Sequence, residues 1–322
     1  MVFVLACVPG AHSAETASKV KIGVLKFGTV SWVLDTIEAN GLDKAEGIEL
    51  NVVPLASTQA TTVGLQGNSV DVIATDWLWV SRERTNGADF TFVPFTTALG
   101  AIMVPPDSPI KTLSDLKGKR LGVAGGPLDK SWLLIVAYAL RTANIDLRTD
   151  TTPEYGAPPL LNERARQGQI DAVLNFWPYA ARLEAEGFTQ LIGLEEVVRE
   201  LGARGEVSMV GYTFNEHWAD KNLEAIQGFL RASAKANELL ATSDAEWDRL
   251  KPLMAENDPD FNEATFEALR RHYREGIPER SASLDEADAK VLFQFLRELG
   301  GKKLVGSGTE LASGTFWHGG DQ

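Results

Sequence analysis

Four tryptophans and one aspartate stand where short apolar segments give way to helical ones. Trp132 follows Trp32 by 100 residues, and Trp177 follows Trp77 by the same interval. Asp76 directly precedes Trp77, and a carboxylate beside aromatic faces suits a ligand that carries an amine, an amidine or a methylammonium group. Two other interpretations are open at this stage: Asp76 caps a helix, as aspartate often does, and the indole rings pack in the core.

A glycine-rich loop between a predicted strand and a predicted helix offers a second kind of chemistry. It runs from Gly125 to Ser131 and reads GGPLDKS. Its two glycines allow a tight turn and a close backbone approach, and Pro127 suits the first turn of a helix. Free N–H groups at such a helix start favour an anion, and Lys130 has the length to reach a ligand charge. The alternative is a plain strand-to-helix turn, because the spacing of a Walker phosphate loop is absent.

The candidate binding loops are those that follow predicted strands. In an open parallel sheet, ligands bind beyond the carboxyl ends of the strands, and small hydroxyls with aromatic walls suit recognition of a small molecule. We expect at least two of the four tryptophans to line this site, with Tyr155, Tyr179 and Phe95 as weaker candidates. The loops are residues 26–32, 57–59, 75–79, 125–132, 155–159 and 175–179.

Residues for catalysis or metal binding are not grouped in this sequence. The one cysteine, Cys7, lies in an apolar leader, so no disulfide can form within the chain. The four histidines lack the spacing of a metal site; they are His12, His217, His272 and His318. No Gly-x-Ser-x-Gly turn is present. We therefore predict neither an enzyme nor a bound cofactor or metal.

Composition is typical of a soluble globular protein. The chain has 322 residues, enough for one large domain or two ordinary ones. It is 44% hydrophobic and 23% charged, which is ordinary for a protein with a packed core. The net charge of −13 argues against a nucleic-acid partner, which needs a basic surface. No segment after the leader is long and apolar enough to span a bilayer.

The first residues resemble the end of a secretory signal peptide. A short apolar run is followed by the small residues Ala11, Ser13 and Ala14, which predicts a signal peptide over residues 1–14 with cleavage near Ser13 or Ala14. The basic start of such a peptide is missing, which fits a true start codon upstream of Met1. The run from Val4 to Cys7 also fits, loosely, a lipid-attachment site on Cys7. Either interpretation predicts an exported protein.

The elements that position the candidate loops alternate between strands and helices, as in a parallel α/β sheet. A first block runs from a strand predicted at 21–25 to one at 70–74, and a second block runs from 120–124 to 170–175. Gln66-Gly67 precedes a Val-Asp-Val segment, as Gln167-Gly168 precedes Ile-Asp-Ala. These parallels predict two lobes of like topology.

The last third of the chain is predicted to be helical. The segment 207–214 predicts a strand that returns from the second block. After it, apolar residues recur at helical spacing over 222–241 and 261–273. Ser283 and Glu286 have the spacing of a capping box that starts a helix running through Leu299.

One segment carries a family resemblance. Ser108 to Val123, SPIKTLSDLKGKRLGV, resembles the entry to the second lobe of periplasmic solute-binding proteins. The joints at Gln66 and Gln167 match the same family, and the overall pattern is similar to the nitrate/sulfonate/taurine and thiamine-precursor branch of ABC-importer receptors. The resemblance covers about residues 20–317. It implies a two-lobed α/β fold of the type II periplasmic-binding-protein class, each lobe a mixed, mostly parallel sheet flanked by helices.

In such a fold, lobe one would hold residues 20–104 and 210–322, and lobe two would hold residues 105–209. Two hinge strands would lie near Met103–Val104 and Met209–Val210. The resemblance places a ligand between the lobes. The polar contacts it implies come from Thr29, Ser31, Ser57, Thr58, Asp76, Gly126, Asp129, Ser131 and Asn175, beside the aromatic candidates Trp32, Trp77, Trp132, Tyr155 and Trp177.

The resemblance implies a function in transport. The protein would be a periplasmic, monomeric receptor that binds a small organic solute and delivers it to an ABC permease. Asp76, Asp129 and the tryptophans favour a solute with a cationic or heteroaromatic part over a bare sulfonate or nitrate, so sulfonate- or taurine-like and amine-type ligands both stay open. We predict that Trp77→Ala and Trp177→Ala weaken binding and leave the fold intact.

Two other functions are compatible with the sequence. One is an enzyme on the same fold, such as a pyrimidine-precursor synthase of thiamine biosynthesis, which would need a reactive histidine or cysteine near the cleft. The other is a sensory or adaptor domain, which would need a membrane anchor such as a lipidated Cys7. Turnover of a ligand would favour the enzyme, and binding without turnover would favour the receptor.

Overall fold

The computed structural model describes residues 17–25, 28–256 and 258–319. The predicted signal peptide and Cys7 lie outside these residues. Within them, no helix combines the length and the apolar character needed to cross a membrane.

The strands of the described chain form two five-stranded sheets. They are β1 (Ser18–Leu25), β2 (Ile48–Leu55), β3 (Val72–Asp76), β4 (Phe90–Thr96), β5 (Gly100–Val104), β6 (Arg120–Ala124), β7 (Thr152–Gly156), β8 (Ala172–Phe176), β9 (Thr189–Gly193) and β10 (Val210–Asn215). The strand order is β2-β1-β3-β10-β4 in the first sheet and β7-β6-β8-β5-β9 in the second. We call the first sheet with its helices lobe one, and the second sheet with its helices lobe two.

Helices connect and cover the strands. They are α1 (Val30–Ala39), α2 (Leu42–Ala45), α3 (Thr58–Gln66), α4 (Trp77–Thr85), α5 (Lys130–Ala143), α6 (Leu147–Asp150), α7 (Pro158–Arg166), α8 (Trp177–Ala185), α9 (Leu194–Glu200), α10 (Glu216–Lys221), α11 (Leu223–Thr242), α12 (Asp244–Ala255), α13 (Glu263–Glu275) and α14 (Ala282–Val305). A 3-10 turn, Leu113–Leu116, carries a capping box between Thr112 and Asp115.

The two sheets have the same topology. In lobe one, β2, β1 and β3 are parallel, and β10 runs antiparallel to both β3 and β4. In lobe two, β7, β6 and β8 are parallel, and β5 runs antiparallel to both β8 and β9. In each sheet the fourth strand in spatial order, β10 or β5, is therefore the strand that the chain forms directly after it crosses from the other lobe. The predicted likeness of the two blocks is confirmed.

A matching aspartate bonds to β1 in lobe one and to β6 in lobe two. Asp71 accepts the N–H of Lys21 at 2.8 Å, and Asp171 accepts the N–H of Arg120 at 2.8 Å. These aspartates follow the Gln-Gly joints that the sequence repeats. Because each carboxylate, directly before β3 or β8, bonds the backbone of the neighbouring parallel strand, the repeated motif supports the same strand register in both lobes.

The first crossing between the lobes differs from the expected position. Residues 100–104 pair with β8 and β9 of the second sheet, so they belong to lobe two and not to lobe one. The chain crosses at residues 97–99, between the end of β4 and the start of β5. A strand pattern in the sequence cannot show which sheet a strand joins. The return crossing enters β10 at Val210, as expected.

The C-terminal helices contact both lobes. Helix α13 packs against α8 of lobe two, and α14 packs against both α4 of lobe one and α5 of lobe two. Helix α14 begins two residues earlier than the predicted capping box implies, at Ala282 after the N-cap Ser281. The side chain of Glu286 instead pairs with Lys290 and His318, so the capping-box prediction is wrong.

Candidate functional site

The start of α1 brings three predicted residues to the carboxyl edge of lobe one. Thr29 precedes the helix, and its side chain makes no capping hydrogen bond. The Ser31 hydroxyl donates to the Gly28 carbonyl oxygen at 2.6 Å, which leaves its oxygen able to accept from a ligand. Trp32 is buried.

Three of the predicted site residues are exposed. The Ser57 hydroxyl accepts the N–H of Ala60 at 3.1 Å and caps α3, and Ser57 and Thr58 are both exposed. On lobe two, Tyr155 is 41% exposed, with its ring edge-to-face against Trp132 at 6.4 Å. These residues are exposed to solvent, and contact of any of them with a ligand stays a prediction.

An ion pair joins the lobes at the starts of α4 and α5. Lys130 Nζ lies 3.3 Å from Asp76 Oδ2, and the two side chains are 21% and 24% exposed. The other oxygen, Asp76 Oδ1, accepts the N–H of Trp79 at 2.8 Å and caps α4. The capping interpretation is confirmed for one oxygen, while the second faces lobe two. We call Asp76, Asp129 and Lys130 the ionic junction.

The glycine-rich loop gives Lys130 its position. Gly125 has φ +83°, in the left-handed region that favours glycine, and a Cβ there would lie 3.1 Å from Asp129 Oδ2. A Cβ at Gly126 would meet nothing within 4 Å. Gly125 therefore makes the tight turn that was predicted, while Gly126 leaves open space in front of the loop.

A carboxylate of the protein occupies the N-terminus of α5. Asp129 Oδ1 accepts the N–H groups of Ser131 at 2.9 Å and Trp132 at 3.2 Å. These two donors are not free, so the expected anion site at this helix start is wrong for them. Aspartate is one of the residues preferred as a helix N-cap.

The charges of the ionic junction depend on one another. Burial raises the pKa of Asp129, and Lys130 and the two N–H donors offset only part of this. Burial lowers the pKa of Lys130, but Asp76 and Asp129 reverse the effect, so the pKa ends above its ordinary value. Lys130 is therefore a cation at neutral pH, held between two acidic residues from different lobes.

Two of the four tryptophans have no exposed surface. Trp77 and Trp132 are wholly buried in one core cluster, and their Nε1 atoms lack a hydrogen-bond partner among the described residues. Removing either ring would leave a large cavity, so we now expect Trp77→Ala to destabilise the fold and not to leave it intact. Contact of either ring with a ligand stays a prediction.

The other two tryptophans meet between the lobes. Trp32 and Trp177 lie edge-to-face with ring centroids 6.1 Å apart. Tyr273 lies 5.8 Å from Trp32 and 6.4 Å from Trp177, and Trp247 lies 5.8 Å from Trp32. We call these four rings the aromatic junction. It joins α8 of lobe two to α1 and α13.

The predicted polar contact Asn175 is engaged inside lobe two. Its Nδ2 donates to the Pro158 carbonyl oxygen at 3.0 Å and to Asn162 Oδ1 at 2.7 Å, and its Oδ1 accepts the N–H of Phe176 at 2.9 Å. Asn162 in turn donates to the Tyr179 carbonyl oxygen at 2.9 Å. Asn175 is 1% exposed, so the structure gives it a positioning role for α7 and α8.

A cavity of about 390 Å³ opens between the lobes beside the aromatic junction. Lobe one contributes Ser31, Trp32 and side chains from the end of α12 and the chain that follows it, within 253–256 and 258–260. Lobe two contributes Asn162, Tyr179 and Arg182. Of the residues predicted for the site, Ser31, Trp32 and the weaker candidate Tyr179 line this cavity. Its volume falls in the range of small-molecule sites.

The cavity has a charged wall that was not among the predicted site residues. Arg182 Nε donates to Asp258 Oδ2 at 2.7 Å across the lobes, and its guanidinium lies 5.5 Å from the centre of the Tyr179 ring. Tyr179 ends the predicted loop 175–179, and Arg182 lies one helical turn further along α8, so the spacing of Arg182 was available as a signal. Asp258 lies far away in sequence, and only the tertiary structure brings it here.

A second cavity, of about 290 Å³, lies at the first crossing. Its walls include Thr97, Glu195, Glu206 and His272. Burial raises the pKa of Glu195, which accepts the N–H of Leu99 at 3.1 Å. In the described part of the chain, no three histidine, cysteine or acidic side chains are placed to hold a metal ion.

Two sheets of one topology, with a cleft at their carboxyl ends, define a two-lobed α/β binding-protein fold. The solved structure of the periplasmic aliphatic sulphonate binding protein SsuA from Escherichia coli matches it with a TM-score of 0.71 at 22% identity, over 94% of this chain and 92% of that chain. The predicted fold class is confirmed. The desulfurization enzyme DszB also matches, with a TM-score of 0.60 at 17% identity, over 88% of this chain and 92% of that chain.

The family follows from a match over most of the chain. The model of the NMT1/THI5-like family covers residues 38–246. The chain belongs to the NMT1/THI5-like family, which confirms the family predicted from the sequence.

Two curated relatives share part of this chain. An Escherichia coli K12 protein named for binding aliphatic sulfonates is 28% identical over 178 residues, which are 54% of this chain and 52% of that protein. The L-cystine-binding protein TcyJ of the same strain is 30% identical over 138 residues, which are 42% of this chain and 47% of that protein. The matched region thus spans about half the length of each relative.

Proposed function

We propose that this chain is the substrate-binding component of an ABC transporter and captures a small organic solute between its lobes for import. The observation that carries this proposal is the cavity of about 390 Å³, whose walls come from both lobes. A solute there contacts both walls only when the lobes are closed, so binding favours the closed form. Family membership and the names of the relatives support the same function.

The proposed movement is a hinge between the lobes. Its pivots are the crossings at residues 97–99 and the segment that leads into Val210. In this proposal the division first expected at 104/105 moves to 97–99, because β5 pairs within lobe two. A small rotation there opens the cleft at the strand ends while both sheets stay intact.

The proposed ligand is compact, polar and charged. The cavity combines an indole wall, hydroxyls from Ser31 and Tyr179, and the charges of Arg182 and Asp258. An arginine favours an acidic group such as a sulfonate or carboxylate, and the nearby carboxylates favour a cationic or heteroaromatic part. The names of two relatives, for aliphatic sulfonates and for L-cystine, support a ligand with an acidic group.

The proposed place of work is the periplasm, with a membrane permease as partner. The protein itself would be one chain that binds and releases, and the ATPase of the importer would supply the energy. The acidic surface is consistent with a partner other than nucleic acid. Lipid attachment at Cys7 is an additional expectation, which mass measurement of the mature protein checks.

The alternative function is an enzyme on the same fold, since a desulfurization enzyme shares it. The described residues contain no cysteine. His272 lies at the second cavity, where it pairs with Glu184 at 2.6 Å and Glu275 at 3.5 Å, and not at the cavity between the lobes. The geometry therefore favours a receptor.

Native mass spectrometry of freshly purified protein tests the proposal. We expect one solute bound at one copy per chain and released unchanged on unfolding. A thermal-shift series with sulfonates, amino acids, amines and pyrimidines should then show a melting temperature that rises with the concentration of the matching solute.

Variants locate the site in the same assay. Arg182→Met should abolish the shift, whereas Arg148→Met, which breaks the Arg148–Asp146 pair away from the cavity, should keep it. Conversion of the bound solute to a product would show an enzyme instead. No bound solute and no shift with any class would refute the receptor.

A further inference from the structure

The ionic junction bridges two separate sheets through one pair of side chains. Asp76 ends β3 in lobe one, and Lys130 begins α5 in lobe two. With 3.3 Å between Nζ and Oδ2 and three quarters of each side chain shielded from solvent, the pair is less screened than a surface salt bridge. Separation of the lobes at this point must break it.

Both partners are held in place before they meet. The cap on Trp79 fixes the carboxylate of Asp76, so that Oδ2 alone is presented to lobe two. The turn at Gly125 and the cap made by Asp129 fix the start of α5. Pre-orientation lowers the entropy that the pair loses on forming.

The position of Lys130 opposes the preference of its own helix. It is the first residue of α5, where the positive end of the helix dipole disfavours a cation. Asp129 and Asp76 compensate for this, as the raised pKa of Lys130 reflects. Lys130 is thus unfavourable for its own helix and is stabilised in part by Asp76 of the other lobe. This arrangement indicates that Lys130 has a role beyond the local stability of α5.

The corresponding place in the other half of the molecule carries no charge. One hundred residues away, Phe176 stands where Asp76 does, Val30 where Lys130 does, and Thr29 where Asp129 does. These residues precede or begin α8 and α1, which correspond to α4 and α5. The shared topology therefore does not require an ion pair at this position.

We propose that the Asp76–Lys130 pair is a latch that favours the closed arrangement of the lobes when no solute is bound. It shifts the equilibrium between open and closed forms and does not build either lobe. The proposal concerns the empty protein, so it stands or falls independently of which solute binds.

The expected effect is a change of population. Loss of a partly shielded pair of this kind raises the ratio of open to closed molecules by about three- to ten-fold. High salt should act in the same direction, because the pair retains about a fifth of its exposure and screening reaches it.

Distance measurements on solute-free protein test the latch. Two cysteines for spin labels are placed on exposed residues of opposite lobes, Val63→Cys in α3 and Leu160→Cys in α7, which are 58% and 55% exposed. Cys7→Ser keeps the labels at these two sites. We expect a short distance to dominate in the otherwise unchanged protein, and a longer one to gain weight in Lys130→Met and in Asp76→Asn.

Asparagine is chosen at position 76 because it still caps α4. The double variant should match the single variants, since each removes the same interaction. Arg120→Met is the matched control: it breaks a 2.7 Å pair with Asp171 inside lobe two and should leave the distances unchanged. Unchanged distances in both junction variants, or equal opening in the control, would overturn the latch.

Discussion

At the start of α4, Asp76 pairs with Lys130 of the other lobe. At the corresponding start of α8, Phe176 takes the place of Asp76, and Val30 takes the place of Lys130. Both junctions bury a tryptophan in the first turn of each helix. Trp77 and Trp132 lie on the ionic side, and Trp32 and Trp177 lie on the aromatic side. The common topology thus demands aromatic bulk at these turns, while charge is an addition on one side.

The two junctions between the lobes differ in charge and in the extent of their contacts. The aromatic junction has no formal charge and is closed by four rings and by α13. The ionic junction depends on pH and salt, and its partners touch through one contact. We infer that the first holds the lobes together and that the second adjusts how they close.

The largest expected effect on stability comes from removing one of the buried tryptophan rings that both junctions contain. Trp132→Ala should lower the free energy of unfolding by about 3–5 kcal/mol, because the ring is wholly buried and leaves a cavity. Urea unfolding followed by circular dichroism measures it. Trp79→Ala serves as a control, because this ring is only half-buried and stacks on Phe90. Equal losses in the two variants would contradict the assignment.

The next effect tests the charged contact beside the aromatic junction. Arg182→Met should lower the free energy of unfolding by about 1–2 kcal/mol, since its pair with Asp258 is 2.7 Å long and each side chain is less than a fifth exposed. Arg148→Met should lower it by less than about 0.5 kcal/mol, because its pair is local and more exposed. A larger loss in the control would reverse the argument.

A smaller effect tests how the ionic junction is positioned. Gly125→Ala should cost about 1–2 kcal/mol, because an L side chain is strained at φ +83° and its Cβ crowds Asp129. Gly126→Ala, its neighbour in open space, should change stability by less than about 0.5 kcal/mol. Thermal unfolding of the pair measures this. Similar values would mean that the turn does not depend on Gly125.

The smallest expected effect is a pH dependence of stability that Asp129 of the ionic junction causes. Burial raises the pKa of Asp129 above its ordinary 3.8, so the folded state binds the proton more tightly than the unfolded state. Between 3.8 and the raised pKa, stability therefore falls as pH rises. Asp129→Asn keeps the cap and removes this proton, so its stability relative to the unchanged protein should grow with pH in that window and then level off.

A carboxylate with the opposite shift provides the control. The Arg148 guanidinium lowers the pKa of Asp146, so the unchanged protein gains stability relative to Asp146→Asn as pH rises toward 3.8. Urea unfolding at several pH values between about 3 and 7 measures both trends. A difference independent of pH for Asp129→Asn would contradict the shift.

Local sequence patterns predicted much of the fold. The Gln-Gly joints and the aspartates that follow them mark the same register in both lobes, because a hydrogen bond to a nearby strand is a short-range feature. The capping of α4 by Asp76 and the turn at Gly125 were also readable, since a cap or a positive φ depends on a few neighbours. The start of α14 was missed by two residues because Ser281 and Ser283 are both of a residue type that caps helices.

Part of the candidate site could not be predicted. Asp258 meets Arg182 across 76 residues of sequence, and nothing in the pattern around either residue identifies the other. The sequence placed Trp77 and Trp132 at strand ends but did not show that core packing hides their rings. Asn175 looked like a ligand contact, yet its amide is used up by α7 and α8.

The sequence by itself determined two α/β lobes of one topology, the helix starts that bear Asp76 and Asp129, and the family. It did so because strand periodicity, glycine turns and caps are set by residues close in the chain. Only the tertiary structure decided that β5 belongs to lobe two, that Lys130 meets Asp76, and that the cavity forms beside α8. Those outcomes depend on contacts between segments far apart in sequence, whose geometry is fixed only when both lobes are packed.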